Sequence, residues 1–222
     1  VSTMMTGLYP SVHGAMHYSD ALAEWPVLLP EALSEGGYFT AGFVTIPCVA
    51  AEFGLAQGYD RYAYRTAPAS WVLDRVRETL ATRTDGKPLF MFLHTLEPHD
   101  PYRPRPENLA RFDRGFRGRY DGTSKSLEKL WTPYPDMTRD DIEHIIDRYD
   151  ADIWEADQGF RSFLAELKNA GRYDDSLIIL LSDHGESFVE HETFSHGFDL
   201  NRESTHVVLI AKFPGGRFAG AR

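Results

Sequence analysis

The sequence has 222 residues, of which 42% are hydrophobic and 25% charged, a composition typical of a globular domain with a sizeable core. Its formal net charge is −10, which argues against a broad nucleic-acid surface because such a surface needs clustered positive charge. No apolar run approaches the roughly 18 residues of a membrane span, and the single cysteine, Cys48, excludes an internal disulfide.

Apolar stretches alternate with helical patterns along the chain, which predicts a mostly parallel α/β sheet flanked by helices on both faces. The stretch over 102–136 is rich in Pro, Gly, Arg and Tyr and lacks periodicity, so an irregular surface excursion is expected there. We therefore predict a single α/β domain over 1–222. Its expected elements are helices over 25–35, 70–83 and 139–170, and strands over 40–45, 88–94, 177–181 and 206–210.

The helix over 139–170 has the clearest pattern. Apolar residues recur every three or four positions and form one stripe along it. Thr138 is its predicted N-cap, with Asp141 three residues later, and Gly171 is the predicted residue just beyond its C-terminus.

The strongest chemical motif is Ser-Asp-His-Gly-Glu at 182–186, directly after a strand expected to be buried. Ligands of open parallel sheets gather where the strands end at their carboxyl edge. Asp183 offers a hard oxygen and His184 an imidazole to a divalent cation. The alternative is a helix-capping aspartate beside an ordinary surface histidine.

More histidines surround this motif. His191 and His196 fall within a short aperiodic segment after it, which favours metal ligation, proton transfer or anion binding. His206 lies in the last predicted strand, where a core or cross-strand role is expected.

A second motif, Pro-His-Asp-Pro-Tyr at 98–102, follows another predicted strand. Pro98 and Pro101 restrict the backbone on both sides of His99, so this histidine is expected in a preorganised loop. A rigid histidine suits contact with an anionic oxygen or protonation of a leaving group. Because parallel strands deliver their loops to one sheet edge, His99, His184 and His196 are expected to converge on one cleft.

These motifs resemble the sulfatase family, within the alkaline-phosphatase-like superfamily. The segment at 6–14 is similar to the family segment that follows the nucleophile, and 98–102 matches its substrate-site loop. The resemblance covers most of the chain but not 102–136. Its other matches, in chain order, are 36–43, 58–62, 149–152 with 156–157, 173–176 and 182–186.

The resemblance implies a hydrolase of small-molecule sulfate esters that uses one divalent cation, usually Ca²⁺. Asp183 and His184 would be its metal ligands. Many family members have Asn in place of His184, which leaves Mn²⁺ or Zn²⁺ open. His99 and His196 would be the catalytic and substrate-binding residues: His99 would contact the transferred group, and His196 would contact it or protonate the leaving oxygen.

The resemblance also places the nucleophile and a pair of aspartates ahead of Val1. The chain is therefore expected to be a fragment that lacks the N-terminal strand and has no turnover by itself. Val1 stands at the arginine of the family's formylglycine motif, which weighs against formylglycine and leaves a serine or threonine nucleophile open. An uncovered sheet face in such a fragment would favour a homo-oligomer.

Two other functions stay open. One is a phosphodiester or phosphonate hydrolase, or a phosphotransferase, of the same superfamily. The other is a non-catalytic fragment or degenerate homologue. Two observations would distinguish these functions: the residue at the nucleophile position, and the activity on an aryl sulfate compared with that on an aryl phosphodiester. The cellular location also stays open.

Overall fold

The computed structural model describes residues 1–132 and 134–221, which form two compact units, Val1–Leu96 and Glu97–Arg222. The first unit contains a parallel sheet. The second contains the longest helix and all the residues predicted to bind metal or sulfate. Among the described residues, no helix combines the length and the apolar character needed to cross a bilayer.

The first unit is built around a three-stranded sheet. Its elements are α1 (Ser2–Thr6), α2 (Pro10–His13), α3 (Leu29–Glu35), β1 (Phe39–Val44), β2 (Arg61–Tyr64), α4 (Ala69–Thr82) and β3 (Leu89–Leu93). The strand order is β2-β1-β3, and both pairings are parallel.

The central strand, β1, is buried on both faces. Val44 packs with Met5 of α1 and with Leu28, the residue before α3, whereas Phe43 packs with Val72 of α4. Because successive side chains of a strand point to opposite faces, helices cover both sides of this sheet. The predicted α/β class, with a parallel sheet flanked by helices, is confirmed.

The predicted elements of this unit are largely confirmed. The ends of β1, α4 and β3 lie within one residue of the predicted ones. The helix predicted over 25–35 begins only at Leu29, where the Leu28 N–H donates to the Glu31 carboxylate at 2.8 Å. The short strand β2 was not predicted, because its four residues carry no alternation of apolar and polar side chains.

The second unit combines one long helix with two small antiparallel pairs of strands. Its elements are α5 (Pro106–Phe112), α6 (Ser124–Leu127), α7 (Arg139–Asn169), β4 (Ile178–Leu181), β5 (Ser187–Phe188), β6 (Phe194–Ser195), α8 (Arg202–Thr205) and β7 (Leu209–Lys212). β4 pairs with β7, and β5 pairs with β6.

The helix α7 matches its prediction closely. Thr138 caps its N-terminus, accepting from the Asp141 N–H while the Asp141 carboxylate accepts from the Thr138 N–H at 2.8 Å. This reciprocal pair satisfies two backbone donors that a helix end otherwise leaves without partners. Beyond the C-terminus, Gly171 has a φ of 64°, a conformation that favours glycine.

The stretch over 102–136, expected to be an irregular surface excursion, is irregular and exposed only in part. The stretch contains α5 and α6, and its Tyr102, Leu127 and Leu130 are buried against Ile145 of α7 and Phe194 of β6. These apolar residues are too few and too unevenly spaced to give a periodic pattern, so tertiary packing rather than periodicity orders the segment. Residue 133 of this stretch, like residue 222 of the predicted domain, lies outside the described residues.

The last strand also differs from its prediction. β7 spans Leu209–Lys212, and His206 instead follows α8, where it is exposed to solvent rather than packed in a core or across a strand. β7 runs antiparallel to β4. The parallel arrangement therefore describes the sheet of the first unit but not this pair.

Candidate active site

Three histidines from separate segments of the second unit lie together. The rings of His184 and His196 stack with centroids 3.9 Å apart, and the ring of His99 meets that of His196 edge-on at 4.9 Å. The predicted convergence of these three side chains is confirmed. The predicted reason was wrong for His184 and His196. They follow β4 and β6, and each of these strands is paired antiparallel rather than parallel.

His99 is held as a hydrogen-bond donor by its neighbour. Its Nδ1 lies 2.7 Å from the carbonyl oxygen and 2.9 Å from the carboxylate Oδ1 of Asp100, which are both acceptors. The hydrogen bond to the Asp100 side chain raises the pKa of His99 to about 9, although burial opposes the shift. A cationic ring whose Nε2 also carries a proton suits an anionic oxygen better than a metal ion.

His184 is oriented by the backbone immediately after it. Its Nδ1 lies 2.8 Å from the Gly185 carbonyl oxygen, which can only accept, so the neutral ring has its lone pair on Nε2. That Nε2 lies 3.7 Å from Oδ1 of Asp183. The two predicted metal ligands therefore present an oxygen and a nitrogen to the same region.

The position of Gly185 requires a glycine because another segment packs closely against its backbone. A Cβ at this position would lie 2.0 Å from the backbone oxygen of Glu203 in α8. The Gly185 N–H also donates to the Ser204 carbonyl at 2.8 Å. The glycine of the motif therefore allows close approach of backbone to backbone, next to the proposed ligand pair.

His196 is oriented by a residue whose role was not predicted. Its Nδ1 lies 3.0 Å from Oε1 of Glu186, and Oε2 of the same carboxylate accepts from the Tyr102 hydroxyl at 2.7 Å. Glu186 and Tyr102 belong to the sequence motifs at 182–186 and 98–102. What the sequence could not reveal was that residues 84 positions apart meet at this carboxylate.

His191 is not part of this cluster and instead contacts Glu203. Its side chain is half-exposed, and its Nε2 lies 3.1 Å from Oε2 of Glu203 in α8. Of the histidines that follow the Ser-Asp-His-Gly-Glu motif, His196 is the one that joins His184 in the cluster.

The cluster could hold a divalent cation, because one ring nitrogen of each of His99, His184 and His196 lies within 4.8 Å of the others. The side chains here are not equally suited to bind a metal ion. His99 is held as a donor by Asp100, whereas Asp183 and His184 supply a carboxylate oxygen and a lone pair. Such a mixed oxygen and nitrogen set suits Mn²⁺ or Zn²⁺ as well as oxygen-seeking Ca²⁺.

The sequence as a whole matches a known family. Residues 1–219 match the model of the sulfatase family. The chain belongs to the sulfatase family. The resemblance found in the sequence motifs is thereby confirmed, and it extends through the stretch over 102–136 in which no motif aligned.

Individual relatives agree with this membership. The endo-4-O-sulfatase of Bacteroides thetaiotaomicron is 28% identical over 133 residues, which is 60% of this chain and 25% of that protein. The structure of BT4656 in complex with its substrate D-glucosamine-2-N,6-O-disulfate aligns with a TM-score of 0.75 at 17% identity, over 95% of this chain and 60% of that one.

A second solved structure has the same fold. The phosphonate monoester hydrolase of Agrobacterium radiobacter aligns with a TM-score of 0.71 at 20% identity, over 96% of this chain and 58% of that one. This sulfatase-family chain thus spans a quarter of the length of the endo-4-O-sulfatase and about three fifths of the two solved chains.

Proposed function

We propose that the protein hydrolyses sulfate esters of small molecules, with Asp183 and His184 holding a divalent cation and with His99 and His196 acting on the substrate. The observation that carries the proposal is the meeting of His99, His184 and His196 in one cluster. Family membership over residues 1–219 and the similarity to an endo-4-O-sulfatase support a sulfate ester as the substrate class.

Asp183 and His184 are the proposed metal ligands. The Asp183 carboxylate is half-exposed and lies 3.7 Å from Nε2 of His184, whose lone pair is fixed by the bond from Nδ1 to the Gly185 carbonyl. A bound cation would withdraw electron density from the ester oxygens and offset their negative charge. Ca²⁺ is the proposed cation from the family resemblance, and the imidazole ligand makes Mn²⁺ or Zn²⁺ the alternatives.

His99 is proposed to bind the sulfate group. With Nδ1 donating to Asp100, its remaining polar group is the Nε2–H, and the Asp100 carboxylate stabilises the positive charge of the ring. An N–H on a cationic ring makes a short, charge-assisted bond to an anionic oxygen. His99 thus contributes binding and orientation rather than metal ligation.

His196 is proposed to protonate the leaving oxygen. Its Nδ1–H donates to Glu186, so its Nε2 is the nitrogen available for proton transfer beside the ring of His99. General acids of this kind contribute about 10²- to 10⁴-fold to the rate. The contribution is greatest when the leaving oxygen is strongly basic, because such an oxygen departs poorly without a proton.

A phosphodiester or phosphonate hydrolase, or a phosphotransferase, is the second candidate. A phosphoryl group presents tetrahedral anionic oxygens like those of sulfate, so the His99 contact would serve it equally. The Asp183 and His184 pair would also serve a cation in phosphoryl transfer. A non-catalytic homologue is the third candidate, and absence of turnover in the full-length protein would establish it.

The test uses the full-length protein, stripped of metal with a chelator and then supplied with Ca²⁺, Mn²⁺ or Zn²⁺. We expect faster hydrolysis of 4-nitrophenyl sulfate than of bis(4-nitrophenyl) phosphate. The opposite order would favour the second candidate, and turnover that does not depend on any added cation would contradict the metal assignment.

Three substitutions test the individual roles, with His191→Gln as the matched control. D183N should weaken cation binding measured by calorimetry, which needs no turnover. H99Q should raise KM, and H196Q should lower kcat by about 10²-fold or more. H191Q should change none of these quantities, and equal effects of H191Q and H196Q on kcat would refute the role of His196.

A further inference from the structure

We propose that Glu186 is a positioning residue that fixes the ring of His196 for proton transfer, and that Tyr102 holds Glu186 in place. This inference rests on the proposed role of His196 as the general acid. It adds Glu186, from the motif at 182–186, and Tyr102, from the motif at 98–102. In the proposed function neither residue contacts the metal ion or the sulfate group.

The geometry makes Glu186 a bridge between the two motifs. Its Oε1 lies 3.0 Å from Nδ1 of His196, and its Oε2 accepts from the Tyr102 hydroxyl at 2.7 Å. A carboxylate only accepts, so Nδ1 of His196 carries the proton that makes this bond. The tautomer and the orientation of the ring are thereby fixed, and Nε2 is directed away from Glu186.

The burial of Glu186 argues for a specific role. Its side chain is 4% exposed, and burying a carboxylate is costly unless hydrogen bonds compensate for the lost water. Here both oxygens have partners. The Tyr102 hydroxyl stays protonated, because burial, assisted by the charge of Glu186, raises the pKa of Tyr102 far above its usual range.

The surroundings hold the bridge rigid. The Tyr102 ring is fully buried and packs edge-on against Tyr149 at 5.5 Å, and Tyr149 packs in turn against Phe188 at 5.0 Å. Tyr149 belongs to α7 and Phe188 to β5, directly after the motif that contains Glu186. Glu186 therefore has few conformations open to it, as preorganised proton transfer requires.

The test measures turnover of two aryl sulfates by the full-length enzyme. Phenyl sulfate has the more basic leaving oxygen and needs protonation more than 4-nitrophenyl sulfate does. E186A should lose about 10- to 100-fold in kcat on phenyl sulfate, as residues that orient an active group typically do, and less on 4-nitrophenyl sulfate. Y102F should show the same pattern with smaller losses, and E186Q should retain more activity than E186A because the amide oxygen still accepts from Nδ1.

A double variant separates positioning from mere stabilisation. If Glu186 acts through His196, E186A combined with H196Q should be no slower than H196Q alone. Losses that multiply in the double variant would overturn the proposal. The matched control is E190Q, because the Glu190 carboxylate accepts from the Phe188 N–H at 2.6 Å in the same hairpin and should leave the leaving-group pattern unchanged.

A spectroscopic measurement tests the bridge without turnover. In protein labelled with ¹⁵N-histidine, the Nδ1–H signal of His196, assigned by its loss in H196Q, should be lost or shifted in E186A but unchanged in E190Q. An unchanged signal in E186A would overturn the inference. If the wild-type enzyme turned over no sulfate ester, the proposed function would fail, while this signal would still decide whether Glu186 orients His196.

Discussion

The Asp141 carboxylate joins the start of α7 to the preceding segment, and its replacement by asparagine should destabilise the second unit. The carboxylate is buried and accepts from the Thr138 N–H at 2.8 Å and from the Arg119 backbone N–H at 2.6 Å. It also accepts from Nε and Nη2 of the Arg119 guanidinium at 3.0 and 2.7 Å. The amide introduced by D141N would direct an NH₂ group at one set of these donors.

The magnitude follows from these contacts. Loss of an N-cap interaction costs about 1 kcal/mol, and removal of one partner of a buried ion pair costs about 3–5 kcal/mol. Because the Arg119 side chain is 51% exposed and can regain water, the ion-pair contribution is smaller than for a fully buried pair, and we expect a total loss of about 2–4 kcal/mol.

The effect should depend on pH with a definite sign. Burial acts to raise the pKa of Asp141, but hydrogen bonds from Arg119 and Thr138 outweigh it and hold this pKa well below its ordinary value of 3.8. The stabilisation is therefore complete above this ordinary value and is lost as the pH falls through the lower folded-state pKa. The difference between wild type and D141N should shrink only below about pH 4.

Equilibrium urea unfolding of the full-length protein, followed by circular dichroism, measures this difference. The matched control is D140N, which alters the exposed neighbour in the same helical turn and should change the free energy of unfolding by less than about 0.5 kcal/mol. Equal effects of D140N and D141N would refute the reasoning, as would a D141N effect that grows when the pH is lowered.

Three further predictions concern other buried or closely packed groups. Burial raises the pKa of Asp152 to about 7, so the wild type should lose stability as the pH rises from 3.8, the ordinary pKa of aspartate, toward 7. In thermal unfolding, D152N should therefore be more stable relative to the wild type at about pH 8 than at about pH 5. A stability difference that is the same at both pH values would contradict this. G185A places a Cβ against the Glu203 carbonyl and should cost about 1–3 kcal/mol of stability while weakening cation binding in calorimetry; unaltered affinity would show that the turn does not position the ligands. Lys212 donates from Nζ to the carbonyls of Tyr173 and two nearby residues. K212M should therefore lower the free energy of unfolding by about 1–3 kcal/mol in a urea titration. A change of less than about 0.5 kcal/mol would mean that water replaces these hydrogen bonds.

The sequence by itself determined the elements whose information is local. The apolar stripe of α7, with Thr138 before it and Gly171 after it, specifies that helix from end to end because its periodicity and caps involve near neighbours. The short apolar stretch of β1 and the continuous apolar run of β3 did the same for these two strands. The two motifs that contain His99 and His184 were likewise recognisable as short patterns of residues.

Only the tertiary structure decided which residues meet. The antiparallel pairing of β4 with β7, the burial of Leu127 and Leu130, and the contact of Tyr102 with Glu186 all join residues distant in sequence. A periodic pattern states that a face is apolar but not which partner covers it, because the partner depends on the path of the chain between them. For the same reason the sequence could name His196 as a candidate, while the carboxylate that orients its ring became visible only when the segments were packed together.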